Sequence, residues 1–199
     1  MKKKIMKNKI NIKNKKILVT GGAGFIGSNL CEALLALDNE VVCLDNFSTG
    51  KMENIEHLNK NPKFTLIGGD IRNLEDCKKA CNGIDYVLHQ AVFGAVPGAN
   101  VDIITTNNVN VSGFLNMLTV ANKAKVKRFV YVNSSSSSSL FTLTKRVNEL
   151  YVEMFHKMYT LDIVGIPFSV INKTSSADVL KKLVQLNVAM LSEATINES

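Results

Sequence analysis

The glycine-rich stretch GGAGFIG at 21–27 is the feature that most constrains how this chain can fold. It directly follows the apolar run KILVT at 16–20, and the residues after it have the apolar spacing of a helix. The pattern is G-x-x-G-x-x-G, formed by Gly21, Gly24 and Gly27. A strand, a tight glycine turn and a helix in this order bring free N–H groups of the helix N-terminus to the end of a buried strand. The stretch therefore predicts a βα turn that binds an anionic group.

Strand and helix patterns alternate through the rest of the chain. Apolar runs predict further strands at 40–45, 63–70, 85–91, 128–134 and 162–166. Periodic apolar residues predict helices at 25–37, at 73–81 with Asn73 as N-cap, and at about 101–124, 140–159 and 176–193. The short connections favour an α/β fold with a Rossmann-type doubly wound parallel sheet of about six strands.

Polar residues that can bind a ligand or take part in catalysis follow several of these strands. Ligands of doubly wound sheets bind at the carboxyl ends of the strands, near the switch in strand order. Asp45, Asp70, His89 and the serine run at 134–139 all lie at such ends, as does the glycine turn. Asp45 stands 24 residues after Gly21, where a carboxylate accepts hydrogen bonds from both hydroxyls of a ribose and repels a 2′-phosphate. The pattern predicts an NAD site rather than an NADP site.

Charge separates a basic extension from a neutral body. Residues 1–16 hold eight of the 24 basic residues and no acid, so 16 basic and 17 acidic residues remain, a net charge of −1. The predicted organisation is a basic disordered tail at 1–15, a Rossmann domain at 16–168 and a C-terminal tail with one helix at 169–199. A lysine tail can touch nucleic acid or anionic lipid, but the chain has no aromatic interleaving or RNA-binding signature. We predict a solubilising extension and no nucleic-acid partner.

The cysteines and the apolar runs point to a cytoplasmic protein without a membrane span or a metal site. The apolar runs are too short to cross a bilayer, and the N-terminus lacks the apolar core of a secretory signal. The cysteines form no CxxC pair and have no zinc-like spacing. We expect buried, reduced thiols at Cys31, Cys43, Cys77 and Cys81.

The residues at 16–166 resemble the extended short-chain dehydrogenase/reductases, in particular the sugar-nucleotide epimerases and dehydratases. The resemblance rests on LVTGGAGFIGSNL (18–30), VVCLDNFSTGKMENI (41–55), GGDIRN (68–73), DYVLHQA (85–91), NNVNVSGFLNML (107–118) and KRFVYVNSSS (127–136). The stretches DNFSTGK and HQA are most similar to the UDP-N-acetylglucosamine 4-epimerases. The resemblance implies a Rossmann fold with bound NAD.

The resemblance also implies a role for each matching residue around NAD. The pyrophosphate would be lined by Gly21, Gly24, Phe25, Ile26 and Gly27. The adenosine half would be held by Asp45, Asn46, Ser48, Gly50, Asp70 and Ile71. Gln90 and Ala91 would pass beside the nicotinamide half, and Lys145 would bind the nicotinamide ribose. Asn110 would match the asparagine that steadies the site from the long helix. His89 invites a general-base interpretation, but in this context we expect it to pack or to hydrogen-bond at the strand end.

Catalysis in the family depends on a serine, a tyrosine and a lysine, and here the tyrosine is replaced. Ser136 and Lys145 match the family serine and lysine, whereas Phe141 stands where the tyrosine that moves the proton belongs. Only four residues separate Ser136 from Phe141, so the loop that the family places there is absent. The family's C-terminal substrate domain is likewise expected to be missing, and a UDP-sugar would bind only if its pocket survives.

Three functions stay open at this point. The first is an active NDP-sugar 4-epimerase or dehydratase, the activity implied by the family. The second, which we favour, is an NAD-binding Rossmann domain whose catalysis is impaired at Phe141. The third is a noncatalytic interaction protein that forms a homodimer through the helices at 101–124 and 140–159. The helix predicted at 176–193 either covers apolar surface of the domain or mediates self-association.

Overall fold

A computed structural model describes residues 12–94, 102–133, 139–167 and 184–191. These residues form one six-stranded parallel sheet with the strand order β3-β2-β1-β4-β5-β6. The strands are β1 (Lys16–Thr20), β2 (Glu40–Asp45), β3 (Phe64–Gly68), β4 (Tyr86–His89), β5 (Arg128–Val132) and β6 (Asp162–Ile166). The predicted α/β fold with a doubly wound parallel sheet is confirmed.

Helices cover both faces of this sheet. They are α1 (Phe25–Ala36), α2 (Leu74–Ala80), α3 (Ile103–Asn107), α4 (Phe114–Lys123), α5 (Leu140–Met158) and α6 (residues 184–190). A π-helical segment, Asn108–Gly113, joins α3 to α4, and two short 3-10 turns, Met52–Asn54 and Glu56–Lys60, follow β2. No helix within the described ranges combines the length and the apolar character needed to cross a membrane.

The strand order places a crevice beside β1. The chain adds β2 and β3 on one side of β1 and then crosses back to add β4 on the other side. Thr20, the last residue of β1, pairs with Leu44 of β2 and with His89 of β4, so the three strands end at the same level. Because the connections leave these neighbouring ends in opposite directions, a ligand can enter between them.

Successive residues of the central strands enter different cores. Leu18 and Val42 belong to a cluster with Phe114 of α4, whereas Ile17 and Val41 belong to a second cluster with Leu30 and other residues of α1. All of these side chains are at most 5% exposed. Burial on both faces explains why the strands appear in the sequence as continuous apolar runs without polar alternation.

The C-terminal helix α6 packs against the sheet. Val188 and Leu191 are buried in the same cluster as α1. The buried Arg128 at the start of β5 donates through Nη1 to the Met190 carbonyl at 2.6 Å and through Nε to the Asp162 carboxylate at 2.6 Å. Of the two roles considered for this helix, covering apolar surface is the one seen. Residues 176–183 and 192–193 of the predicted helix lie outside the described ranges.

The domain includes residues that the sequence assigned to the basic tail. The side chain of Ile12 is 2% exposed, and its carbonyl accepts a hydrogen bond from Asn39 Nδ2 at 3.1 Å. The backbone N–H of Lys15 donates to Asn39 Oδ1 at 3.1 Å. Residues 12–15 therefore pack on the domain, and the rest of the predicted tail lies outside the described ranges.

Side chains cap the starts of α2 and α5, and the first of these caps, at Asn73, was predicted from the sequence. Asn73 Oδ1 accepts from the Glu75 N–H at 2.9 Å at the start of α2. Ser139 Oγ accepts from the Thr142 N–H at 3.1 Å at the start of α5. Each cap supplies a partner for one of the N–H groups that the first helical turn cannot satisfy internally. The last serine of the run at 134–139 is thus a helix cap.

Candidate functional site

The carboxyl ends of β1 to β4 surround a cavity of about 250 Å³. Most of the residues predicted to hold a cofactor line it, namely Gly21, Gly24, Phe25, Ile26, Gly27, Asp45, Asn46, Ser48, Asp70, Ile71, Gln90 and Ala91. Sequence reasoning missed five further lining residues, Leu44, Thr49, Gly69, Val92 and Val109. Each of the five is adjacent in sequence to a predicted residue, and this adjacency is the sequence feature from which they could have been predicted. Gly50, Asn110 and Lys145 do not line the cavity, and Ser136 lies outside the described ranges.

The glycine turn is packed so closely that side chains do not fit. Gly21 has a φ of +66°, and a Cβ there would lie 2.7 Å from the Ala91 backbone nitrogen. A Cβ on Gly27 would lie 2.1 Å from the Gly21 carbonyl oxygen. Helix α1 starts after Gly24 with no side-chain cap and no acidic residue in its first turn. The free N–H groups and the positive end of the helix dipole are thus available to an anion in the cavity.

Asp45 presents a fixed carboxylate at the end of β2. The side chain is buried, with Oδ2 accepting from the Ala23 N–H at 2.9 Å and Oδ1 accepting from the Phe47 N–H at 2.8 Å. Gly50 packs against it, because a Cβ there would lie 2.9 Å from both carboxylate oxygens. A carboxylate has about four acceptor positions, so two are left for a ligand's hydroxyl groups. Gly50 therefore shapes the site by making room for Asp45.

The carboxylate of Asp70, which follows β3, is hydrogen-bonded to neighbouring side chains. It accepts from the Arg72 guanidinium, with the shortest contact 2.6 Å, and from Asn46 Nδ2 at 2.7 Å. Hydrogen bonding to Arg72 is the main reason that the pKa of Asp70 is lowered to about 2. Asp70 thus ties the loop after β2 to the loop after β3. Asp70 lines the cavity there together with Gly69 and Ile71.

His89 is a core residue at the end of β4. Its Nδ1 lies 2.9 Å from Thr20 Oγ1, and its ring lies 5.3 Å from the Phe114 ring and 5.5 Å from the Phe129 ring, centroid to centroid. Burial and, secondly, the charge of Lys145 lower the pKa of His89 to about 3. A neutral imidazole that is 2% exposed does not serve as a general base for a ligand. The expectation that His89 packs and hydrogen-bonds here is confirmed.

Phe141 and Lys145 lie one helical turn apart on α5. The Lys145 Nζ is 5.6 Å from the centroid of the Phe141 ring, and the lysine side chain is 5% exposed. Burial lowers the pKa of Lys145 to about 8, although the charge of Glu149 acts in the opposite direction. Tyr131 offers no alternative phenol, because it is buried within β5 and burial raises its pKa above the ordinary value. The lysine is therefore close to a ring that cannot exchange a proton.

Asn110 holds the π-helical segment to the chain that follows β4. Its Oδ1 accepts from the Phe93 N–H at 2.7 Å, and its Nδ2 donates to the Phe93 carbonyl at 2.9 Å. Its own carbonyl accepts from Asn148 Nδ2 of α5 at 2.8 Å. Asn110 thus holds the chain after β4 through its backbone, from a position outside the cavity wall.

All four cysteines are free and buried. A hydrogen bond with Cys43 and burial raise the pKa of Cys31 well above its usual range. Burial raises the pKa of Cys77 and that of Cys81 to about 12. Thiols in these surroundings are unreactive. Among the residues that the structure describes, no three His, Cys, Asp or Glu side chains group as a metal site would require.

Comparison with known proteins matches residues 17–193 to the NAD dependent epimerase/dehydratase family. A curated relative, a putative UDP-glucose 4-epimerase of Methanocaldococcus jannaschii, is 29% identical over 172 residues, which cover 77% of this chain and 55% of the relative. The solved UDP-N-acetylglucosamine 4-epimerase of Methanobrevibacter ruminantium is 32% identical with a TM-score of 0.69, covering 77% of this chain and 54% of that one.

A second solved structure, the UDP-glucose 4-epimerase of Thermus thermophilus in complex with NAD, is 28% identical with a TM-score of 0.65. The match covers 75% of this chain and 53% of that one. The chain thus spans about half the length of these three relatives.

Proposed function

Because the chain belongs to the NAD-dependent epimerase/dehydratase family, we propose that the cavity at the ends of β1 to β4 binds NAD. The observation that carries the proposal is the Asp45 carboxylate, which two backbone amides fix in place beside the N-terminus of α1. A pyrophosphate fits the cradle that glycines leave at that N-terminus, and a ribose diol fits the two remaining acceptor positions of Asp45. The residues of this chain therefore suit a dinucleotide.

In this proposal the two halves of the dinucleotide lie on opposite sides of β1. With the pyrophosphate at α1, the adenosine half lies toward β2 and β3, where Asp45, Asn46 and Ile71 line the cavity. The nicotinamide half lies toward β4, where Gln90 and Ala91 line it. Bound NAD supplies a reversible hydride acceptor at this end of the site.

Binding of NAD in preference to NADP is the direct test of this proposal. Isothermal titration calorimetry on the full chain should show NAD binding, with NADP weaker by about tenfold or more, because a 2′-phosphate next to the Asp45 carboxylate brings like charges together. Asp45→Asn should reduce this preference, since it removes the charge and keeps one acceptor oxygen. A wild-type chain that binds no NAD, or binds NADP equally well, would contradict the proposal.

We further propose that sugar-nucleotide turnover is impaired at the proton-transfer step. The family chemistry on a sugar 4-hydroxyl needs a group that takes the proton while the carbon gives up hydride. Phe141 holds that position on α5, one turn before the buried Lys145, and a phenyl ring neither accepts nor donates a proton. The substrate class implied by the relatives is a nucleoside-diphosphate sugar, with UDP-N-acetylglucosamine as the first to examine.

Turnover of UDP-N-acetylglucosamine by the wild-type chain should stay at background, because general acid–base catalysis contributes about 10²–10⁴-fold and Phe141 cannot provide it. Product formation is followed by NMR in a sample whose NAD content has been measured. This distinguishes a chain that binds NAD but does not catalyse the reaction from a chain that holds no NAD. Phe141→Tyr restores the phenol and changes nothing else, so a gain in that variant would locate the deficit at this position. Clear NAD-dependent turnover by the wild-type chain would refute the proposed impairment.

An active epimerase is the second candidate function. The observation that favours it is Lys145, which keeps the family position on α5 and whose pKa burial lowers to about 8. An amine that titrates near physiological pH is able to take part in proton transfer. The four free thiols support the cytoplasm as the compartment in either case, since reducing conditions preserve them.

We also propose that the chain forms a homodimer through α3 and α5. The exposed side of α5 presents a row of apolar side chains, and α3 adds two more beside it: Leu143, Leu150, Met154, Met158, Ile103 and Ile104 are each 49–69% exposed. Monomers seldom expose contiguous apolar surface of this kind. A two-fold axis along this surface would bury the row of one copy against that of the other.

Charges placed in this row should produce a monomer. The double variant Leu150→Glu, Met154→Glu should halve the mass that light scattering gives for the wild-type chain, because an interface core does not accept unpaired carboxylates. Leu74→Glu is the matched control, since Leu74 is an exposed apolar residue at the start of α2, away from α3 and α5. A wild-type chain that is monomeric at all concentrations would contradict the dimer.

A further inference from the structure

A hydrogen bond connects the C-terminal helix to the lining of the cavity. Gln90, which lines the cavity after β4, donates from Nε2 to Asn187 Oδ1 at 3.0 Å. Asn187 lies on α6 and is 0% exposed. The two residues are 97 positions apart in the chain, so the contact exists only because α6 packs against the sheet. A polar side chain buried this completely is expected to have a definite partner and a definite orientation.

The position of Asn187 is fixed by its neighbours on α6. Val188 next to it and Leu191 one turn later are 3% and 1% exposed in the core that α6 shares with α1. The Met190 carbonyl accepts from Arg128 Nη1 at 2.6 Å. Apolar packing and a hydrogen bond from a charged side chain thus hold the chain in place directly after the asparagine. Asn187 is therefore a rigid acceptor for the Gln90 carboxamide.

Gln90 lies on the nicotinamide side of the proposed NAD site. The glycine turn after β1 is the midpoint of the site, and Asp45 marks the adenosine side at the end of β2. Gln90 follows β4, on the other side of β1. Lys145 belongs to the same side, because its charge acts on His89, the residue directly before Gln90. In the proposed site, Gln90 therefore contacts the half of the dinucleotide that carries the nicotinamide.

We propose that Asn187 is a positioning residue for the nicotinamide half of the NAD site, acting through Gln90. By accepting from Nε2, it fixes the rotation of the Gln90 carboxamide and leaves Oε1 as the end that a ligand can meet. Oε1 has no hydrogen-bond partner among the residues that the structure describes. Without Asn187 the carboxamide rotates, and its acceptor is no longer presented in one direction. This proposal rests on the proposed binding of NAD.

The test compares NAD with ADP-ribose, which has the same adenosine, pyrophosphate and second ribose but no nicotinamide. Asn187→Leu keeps the branched shape of the side chain and removes its acceptor. We expect the variant to bind NAD about fivefold more weakly, the usual effect of losing one hydrogen bond, and to bind ADP-ribose as the wild-type chain does. Calorimetric titrations of the full-length chain give both affinities. Asn187→Ala is the second variant if the leucine does not fold.

Two controls separate positioning from a general loosening of the helix. Val188→Ala weakens the packing of α6 without touching Gln90, so it should lower thermal stability and leave the ratio of NAD to ADP-ribose affinity unchanged. In a Gln90→Ala background, Asn187→Leu should have no further effect on that ratio, because the residue acts through Gln90.

The positioning role would be overturned if Asn187→Leu left the ratio of NAD to ADP-ribose affinity unchanged, whether both affinities fell equally or neither fell. A full additional effect of Asn187→Leu on that ratio in the Gln90→Ala background would also overturn it. Absence of NAD binding by the wild-type chain would overturn the proposed function as well, so the two failures are distinguishable.

Discussion

Substituting alanine for Gly27 should destabilise the chain by about 3 kcal/mol and reduce NAD affinity by about tenfold or more. The added Cβ would lie 2.1 Å from the Gly21 carbonyl oxygen and 2.7 Å from the Gly22 Cα. Both are backbone atoms, so no side chain can rotate away, and the first turn of α1 must separate from the glycine turn. The separation displaces the N–H groups that the proposed pyrophosphate needs. Urea denaturation and calorimetric NAD titration measure the two effects.

Two other glycines provide a graded control for this prediction. A Cβ on Gly24 would lie 3.2 Å from the Gly21 carbonyl, a contact that a shift of a few tenths of an ångström relieves. A Cβ on Gly68 would have no heavy atom within 4 Å. Stability should therefore fall in the order Gly68→Ala, Gly24→Ala, Gly27→Ala, with the first near the wild-type value. If Gly27→Ala behaved like Gly68→Ala, the close packing of the turn would be disproved.

Local sequence pattern predicted most of the architecture because parallel strands buried on both faces are continuous apolar runs. The bounds of β1, β2 and β6 agree with prediction, whereas β3 and β4 were each predicted three residues too long, one at the start and two at the end. β3 ends at Gly68 because β2, its partner, ends at Asp45 opposite it. β4 ends at His89, since the next N–H groups donate to the Thr20 carbonyl and hydroxyl while the chain turns into the cavity.

Contacts between distant parts of the chain account for what the sequence did not reveal. The long helix predicted at 101–124 contains the π-helical segment Asn108–Gly113, which apolar periodicity does not distinguish from an α-helix. Asp70 was predicted to hold the adenosine half and lines the cavity, but the hydrogen bonds of its carboxylate with Arg72 and Asn46 were not evident from the sequence. The contact of Asn187 with Gln90 depends on where α6 docks, and nothing local to either residue predicts it.

The buried Lys145 is a source of instability that the apolar core must offset. An ammonium group loses its hydration on burial, so the folded state favours the neutral amine, and the pKa falls from 10.5 to about 8. Below pH 8 the folded chain must bury the charged form of Lys145, so the destabilisation has its full value there. Between pH 8 and 10.5 the folded chain holds the neutral amine while the unfolded chain still binds the proton. The destabilisation therefore shrinks as pH rises and vanishes above 10.5.

Replacing Lys145 by methionine should accordingly stabilise the chain at pH 7, by on the order of 3 kcal/mol, and by less than half of that at pH 10. Methionine keeps most of the side-chain volume and has no charge to desolvate. Urea denaturation of the ligand-free chain at both pH values measures the difference. Lys157→Met, at an exposed position in the last turn of the same helix, should show no such pH-dependent gain. If Lys145→Met were less stable than wild type at pH 7, the ammonium would have to be compensated within the fold, and burial would not be what sets its pKa.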